Sequence, residues 1–235
     1  MVLGELTHGS LGRVVVTMRR NSSRASARWR GGVVHLNVPA GIRGSRIAPI
    51  LDELAPRLLA SRPELSYADG QVLSFPGFSV GIRRQRLAPG KVLGKAALPV
   101  SAVGVGAELD FGLGTTTLAI SDMLLKIARK VAPGVLLPVA RECAERVGAR
   151  PAAWAISTGH RVLGVCDSRG TVSLSYILVL LPAELREYVI CHELAHLSEL
   201  NHSPRFHALL DRYLGGREAL LASRLRRYRW PVYRR

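Results

Sequence analysis

Residues 191–203 read CHELAHLSELNHS and hold the side chains of this chain best suited to chemistry. His192 and His196 stand four residues apart, so on a helix both imidazoles leave one face, one turn from each other, and can share a divalent ion. Glu193 follows the first histidine. A carboxylate there lies beside a metal-activated water rather than in the coordination sphere, where it can accept that water's proton. Such a site needs a third protein ligand and an open fourth position. His202, just past the expected helix end, is placed to be that ligand if the chain turns back. The residues therefore point to His192, His196 and His202 as ligands and Glu193 as general base. Zinc is the ion that three imidazoles and a water suit best. A carboxylate third ligand would have to be Glu199, Asp211 or Glu218, and a turn-borne histidine is the simpler arrangement. His207, five residues past His202, is expected at the surface or behind the ligands, and His160 precedes the site by one hairpin. His8 and His35 are lone histidines of the N-terminal half.

The elements that must position these residues are readable on both sides. Pro182, Ala183, Glu184, Leu185 and Glu187 form a helix start, with proline in the first turn and acids near the positive end of the dipole. Leu185, Val189, Ile190, Leu194, Ala195 and Leu197 continue a helical period through the histidines. Asn201 suits a left-handed helix end, and Ser203-Pro204 is a cap and first-turn pair opening a second helix over 204–214. The chain must turn sharply at His202. Upstream, 162–166 and 171–181 bracket Asp167-Ser168-Arg169-Gly170 and predict a hairpin leading into the metal helix. Thr171, Ser173 and Ser175 alternate with Val172, Leu174 and Tyr176, as in a half-buried strand. In a zinc hydrolase a strand running beside the metal helix can offer its exposed edge to an extended peptide through main-chain hydrogen bonds.

The earlier chain reads as strands first and helices later. Strands are expected over 13–19, 25–30 and 33–38, the last two joined by a Gly31-Gly32 hairpin, followed by a helix over 46–61 that Pro56 bends or splits. Residues 72–113 are strand-rich, broken at Asp69-Gly70, Pro76-Gly77, Pro89-Gly90 and by turns at Gly104, Gly106, Gly112 and Gly114. These glycines lack the strand-turn-helix spacing of a dinucleotide fingerprint. Thr116 or Thr117 caps a helix over 118–131 that Pro133-Gly134 ends, Pro138 opens another that stops near Gly148, and 153–156 is a short strand.

A chain of 235 residues with 48% hydrophobic content is globular rather than disordered. MVLGELTHGS lacks the basic start and apolar run of a secretion signal, and the longest apolar stretch, 176–181, is too short to span a bilayer. A soluble cytoplasmic protein with no membrane association is expected. Cys143, Cys166 and Cys191 are few, odd in number and without CxxC spacing, which excludes a disulfide framework or a zinc ribbon; Cys191 is expected in the core. The net charge of +16 would attract polyanions. Nucleic acid is one candidate partner, and a solvated arginine-rich helix and tail near residues 224–235 is the plainer account of the densest cluster.

The run from Arg161 through LLPAELREYVICHELAHLSELNHSPRFHALL resembles the YgjP-like metallopeptidase family, related to the WLM and SprT-like groups. The shared pattern is a Gly164-Val165-Cys166 hairpin element, a Leu-Pro-x-Glu helix start, His-Glu-Leu-x-His, and Asn-His-Ser-x-x-Phe. The resemblance implies an α+β fold: an N-terminal β-rich region over 1–115, then a zincin-like catalytic region over 116–235 with a small sheet and the metal helix. It implies a zinc-dependent peptidase acting on peptide or protein substrates, with His192, His196 and His202 at the metal positions and Glu193 at the catalytic one. Two departures stand out. The family's Arg-Trp-Gly-Ser-Cys is here Val162-Leu163-Gly164-Val165-Cys166, and the tryptophan usual after Phe206 is His207. The lost arginine, tryptophan and serine keep open a catalytically silent, metal-stabilised binding protein, and the basic surface keeps open a nucleic-acid-associated SprT-like protease. The lack of a paired CxxC ribbon argues against a full SprT-type architecture.

Overall fold

Alternating valines near the N-terminus build the first of two compact units in the computed structural model, which describes residues 2–30, 32–61, 65–99 and 105–233. This unit comprises Met1–Ser66 and Tyr233–Arg235. Strands β1 (Val2–His8), β2 (Gly12–Arg19), β3 (Ser26–Arg30) and β4 (Val33–Pro39) pair in the order β1-β2-β4-β3, with β2 and β4 parallel and the outer pairs antiparallel. Val14, Val16, Val34, Leu36 and Val38 point to one face and pack on Leu51, Ala55 and Leu58 of helix α1 (Ile47–Ala60). The helix runs from Ile47 to Ala60 with Pro56 inside it, where the sequence leads one to expect a bend or a split, and the Trp29 indole donates to the Leu58 carbonyl at 2.7 Å. The expected β3–β4 hairpin forms, and Gly32 takes the left-handed φ of 74° that only glycine adopts cheaply; Gly31 lies outside the described residues. Strand β1 is not foreseen from sequence. It is an edge strand exposed on nearly every residue, so it carries no apolar alternation to read.

The second unit, Tyr67–Val232, holds the other two sheets and most of the helices. Strands β5 (Val72–Phe75), β6 (Phe78–Arg84), β7 (Val92–Pro99) and β8 (Val105–Phe111) form one sheet in the order β5-β6-β8-β7. Phe78, Val80, Ile82, Leu109 and Phe111 bury its inner face in a core shared with helix α2 (Thr117–Val147). Gly106, expected in a turn, is instead paired with Ser79 inside β8; Gly104 lies outside the described residues.

Helix α2 overturns a second expectation. Two helices separated at Pro133-Gly134 were predicted, yet α2 runs unbroken for 31 residues with Pro133 and Pro138 inside it. The Thr116 hydroxyl accepts from the Ala119 N–H at its start, and left-handed Gly148 ends it. Each internal proline costs about 3 kcal/mol of helix propensity. Against that, Leu124, Ile127, Ala128 and Val131 before the prolines and Val135, Leu136, Ala140 and Cys143 after them lie in one core, each large side chain contributing about 1.5–3 kcal/mol. Burial on both sides of the prolines wins.

Strands β9 (Ala153–Ser157), β10 (Gly164–Cys166) and β11 (Thr171–Ser175) make the third sheet, ordered β10-β11-β9, with β10 on an edge. The hairpin at residues 167–170 forms as predicted: Asp167 accepts from the Arg169 and Thr171 N–H groups, and Gly170 is left-handed. Strand β11 ends at Ser175 rather than continuing to Leu181. Tyr176–Leu180 winds into a 3-10 turn started by the Ser175 hydroxyl, and all five residues are buried. A short apolar run buried on every side has no period by which strand and turn can be told apart. Helices α3 (Ala183–Ala195), α4 (Pro204–Tyr213) and α5 (Glu218–Arg227) complete the unit. The whole is α+β, rich in strands in its N-terminal half and in helices later. No helix among the described residues is long and apolar enough to cross a membrane.

Candidate metal centre

Helix α3 begins at Pro182 with Glu184 in its first turn, a carboxylate that also accepts from Arg224 of α5. Leu185, Val189, Ile190, Cys191 and Leu194 fix its inner face in the core. The thiols of Cys191 and Cys143 hydrogen-bond across the α2–α3 packing, which pushes Cys191 up and holds Cys143 down. Tyr188, His192 and His196, four residues apart, follow one another along a different face. His196 closes the helix with helical backbone angles, φ −66° and ψ −15°. Two turns then bring the Glu199 carbonyl to 3.0 Å from His196 Nδ1. Donation at Nδ1 fixes the tautomer that leaves Nε2 as the free donor of electrons.

Ser203 sets the other side. Its hydroxyl accepts from the Phe206 N–H at 3.3 Å and starts α4 at Pro204, so His202 sits in the bend between two helices. The bend returns its ring to α3: His202 Nε2 lies 3.0 Å from His192 Nε2. Ring centroids are 5.0 Å apart for His192–His196, 5.0 Å for His192–His202 and 4.7 Å for His196–His202. One ligand nitrogen from each lies within 4.8 Å of the other two, and among the described residues this is the one group of three or more such side chains. Phe206, fully buried, stacks on His196 at 4.5 Å and meets the other two rings edge-on at 4.9 and 4.7 Å. Burial, and then the neighbouring His196, His202 and His207, hold His192 down to about 4, so its lone pair is available at neutral pH. Its Nδ1 is buried with no partner among the described residues.

Glu193 packs against β10. It is 6% exposed, and burial pushes its carboxyl up to about 7, opposed in part by a hydrogen bond from the Cys166 N–H. Gly164 makes the approach possible: a Cβ there would lie 2.5 Å from Glu193 Cγ and 2.6 Å from Oε1. Ser175 N–H donates to the Leu163 carbonyl and Asp167 N–H to that of Thr171, so odd-numbered residues of this strand bond to β11. Gly164 and Cys166 therefore turn their N–H groups to the free edge, where Glu193 sits.

The other candidates are not gathered. Glu199 brings its carbonyl, Asp211 accepts from the Glu218 N–H, and Glu218 binds His207 Nδ1 at 2.6 Å. The His207 ring lies 6.4 Å from that of His202. His160 bonds the Tyr176 hydroxyl.

Residues 25–222 match the family described as YgjP-like, metallopeptidase domain. The chain belongs to this family and is a metallopeptidase. The crystal structure of the metallopeptidase zymogen of Pyrococcus abyssi abylysin is similar over 38% of this chain and 90% of that one, at 21% identity and a TM-score of 0.35. No curated protein matches the chain. A YgjP-like metallopeptidase requires a metal ion, and the residues present fit one: three neutral-capable imidazoles with converging nitrogens, one tautomer already fixed by Glu199. Sequence reading of this YgjP-like chain misses Phe206 as the floor of the site and the Gly164–Glu193 approach. The first carries a signal in its spacing, four residues past His202 on a capped helix. The second depends on a strand far from α3 in sequence and has none beyond the glycine itself.

Proposed function

We propose that the protein is a zinc-dependent peptidase in which His192, His196 and His202 hold the ion and Glu193 is the general base. The observation that carries this reading is the convergence of three imidazole nitrogens within 4.8 Å, with the buried carboxyl of Glu193 next to His192 along α3. Zinc, when bound, polarises the scissile carbonyl and lowers the pKa of water at the site. Glu193 takes a proton from the attacking water and delivers it to the departing amine. Its carboxyl, lifted to about 7, suits both acceptance and return of a proton near neutral pH. The Cys166 N–H and the Gly164 backbone fix where that proton is exchanged.

On this reading residues 116–235 form the zincin-like catalytic region, with β9, β10 and β11 as its small sheet and α3 as the metal helix, and residues 1–115 the N-terminal β-rich region. A Glu193→Gln protein should bind one zinc per chain by elemental analysis and cleave no peptide in a library that the wild type cleaves with zinc and not with a chelator. Retained turnover in the variant would refute the base assignment. Absence of turnover by the zinc-loaded wild type would leave a metal-stabilised binding protein.

A further inference from the structure

Between Glu5 and Asp52 the chain carries eight arginines and no aspartate or glutamate. Six of them, Arg13, Arg19, Arg20, Arg24, Arg28 and Arg30, fall on β2, β3 and the connection between them. Strand alternation sorts the four on strands to one side. Val14, Val16, Val34, Leu36 and Val38 face α1, so Arg13, Val15, Thr17 and Arg19 of β2 and Val33, His35 and Asn37 of β4 face the opposite way. The register adds the outer strands: Glu5, Val15, His35 and Arg28 form one row across the sheet, and Arg30 lies opposite Val33. His35 reports the same arrangement, held below its ordinary range by burial and then by Arg30 and Arg28, with Glu5 acting in the opposite sense.

Four arginines and one acid thus share a face with the hydroxyls of Thr7, Thr17 and Ser26 and the Asn37 amide. Arg13 is bound to Glu5 at 2.7 Å, and its side chain remains 63% exposed. Trp29, the one aromatic residue of these strands, is on the other side against α1. The face offers cationic charge and hydrogen-bond donors, and among the described residues of its four strands the half-buried His35 imidazole is the one ring turned this way.

We propose that this face of the N-terminal sheet binds the phosphate backbone of a nucleic-acid duplex without reading its sequence. Arg28 and Arg30, two residues apart on β3, stand about 7 Å apart along the strand, and four strands span about 14 Å, room for several phosphates. The guanidinium fork matches phosphate geometry. A single half-buried imidazole, with no tryptophan, tyrosine or phenylalanine of these strands on this side, favours a duplex over a single strand, whose binding normally uses several aromatic rings. The charge is concentrated here: the first unit has twelve arginines against four acids, the second 21 basic residues against 13 acids. The inference does not rest on the proposed peptidase chemistry and survives its failure.

The test is fluorescence anisotropy of a labelled DNA duplex titrated with the full chain over a series of salt concentrations. The logarithm of the affinity should fall with the logarithm of salt with a slope of about −4, one phosphate per arginine. Arg28→Gln with Arg30→Gln should bring that slope to about −2 and weaken binding on the order of tenfold, with an unchanged melting temperature. Arg224→Gln with Arg226→Gln and Arg227→Gln, on α5, should leave the slope as in the wild type. Salt-independent or absent binding overturns the proposal, as does a sheet variant that binds like the wild type. Preference for a single strand over the duplex overturns it too. Poly-glutamate competing as well as DNA at matched charge would assign the face to an acidic protein instead.

Discussion

Replacing Glu193 by glutamine should alter how the stability of the ion-free protein responds to pH. Burial lifts this carboxyl from 4.5 to about 7, with the Cys166 N–H offsetting part of the shift. Between those values the folded protein keeps a proton that the unfolded chain has released. The stability contributed by the neutral acid is therefore full below pH 4.5 and is lost as pH rises through 7. The shift corresponds to about 3 kcal/mol, or about 6–12 °C of melting temperature in a protein of this size. Glutamine keeps the shape and an acceptor for the Cys166 N–H, and it never ionises. Melts of both proteins in chelator from about pH 4 to about pH 9 should show little difference at the acid end. The variant should become progressively more stable than the wild type through neutrality, then level off. His192 acts in the reverse sense. Its folded pKa is depressed from 6.5 to about 4, so its contribution is present above pH 6.5 and lost as pH falls through 4. It titrates in both proteins and cancels in the difference. A difference that stays flat across neutrality would falsify the desolvation of Glu193 against β10, and with it the reason for a base poised near neutral pH.

Two further outcomes follow from contacts around the site. Gly164→Ala would drive a methyl against the Glu193 carboxyl, so peptidase activity should fall on the order of a hundredfold while zinc content by elemental analysis stays at the wild-type level; unimpaired turnover would show that the approach is not needed. Arg186 is 2% exposed and donates to the carbonyls of Pro76, Leu178, Val179 and Leu181, pinning the 3-10 turn and the β5–β6 turn to α3. Arg186→Met strands those acceptors and should cost about 2–4 kcal/mol in urea denaturation, and a loss under about 1 kcal/mol would mean that the carbonyls find other partners.

What could be read in the sequence was local. The 192–196 spacing, the Ser203-Pro204 cap and the Asp167–Gly170 turn each act within a few residues, and the bend they produce is the one that carries His202 to its partners. What could not be read depends on distant partners. Pro133 and Pro138 look like a break until the core on both sides of them is known, and residues 176–180 look like strand until Arg186 is seen collecting their carbonyls. Strand β1 has no apolar rhythm because it lies at an edge. Gly164 looks like a hairpin glycine and matters for a side chain 29 positions later in the chain.

Phe206 has a bearing on what withdrawing the ion would do. Packed against all three imidazoles, it limits how far each ring can turn, so core packing as well as any ion holds the donors in place. Small zinc domains differ, because they collapse only around their metal. In this chain a chelator should lower the melting temperature and leave a folded protein, since the helices that carry or flank the three rings are anchored in the core.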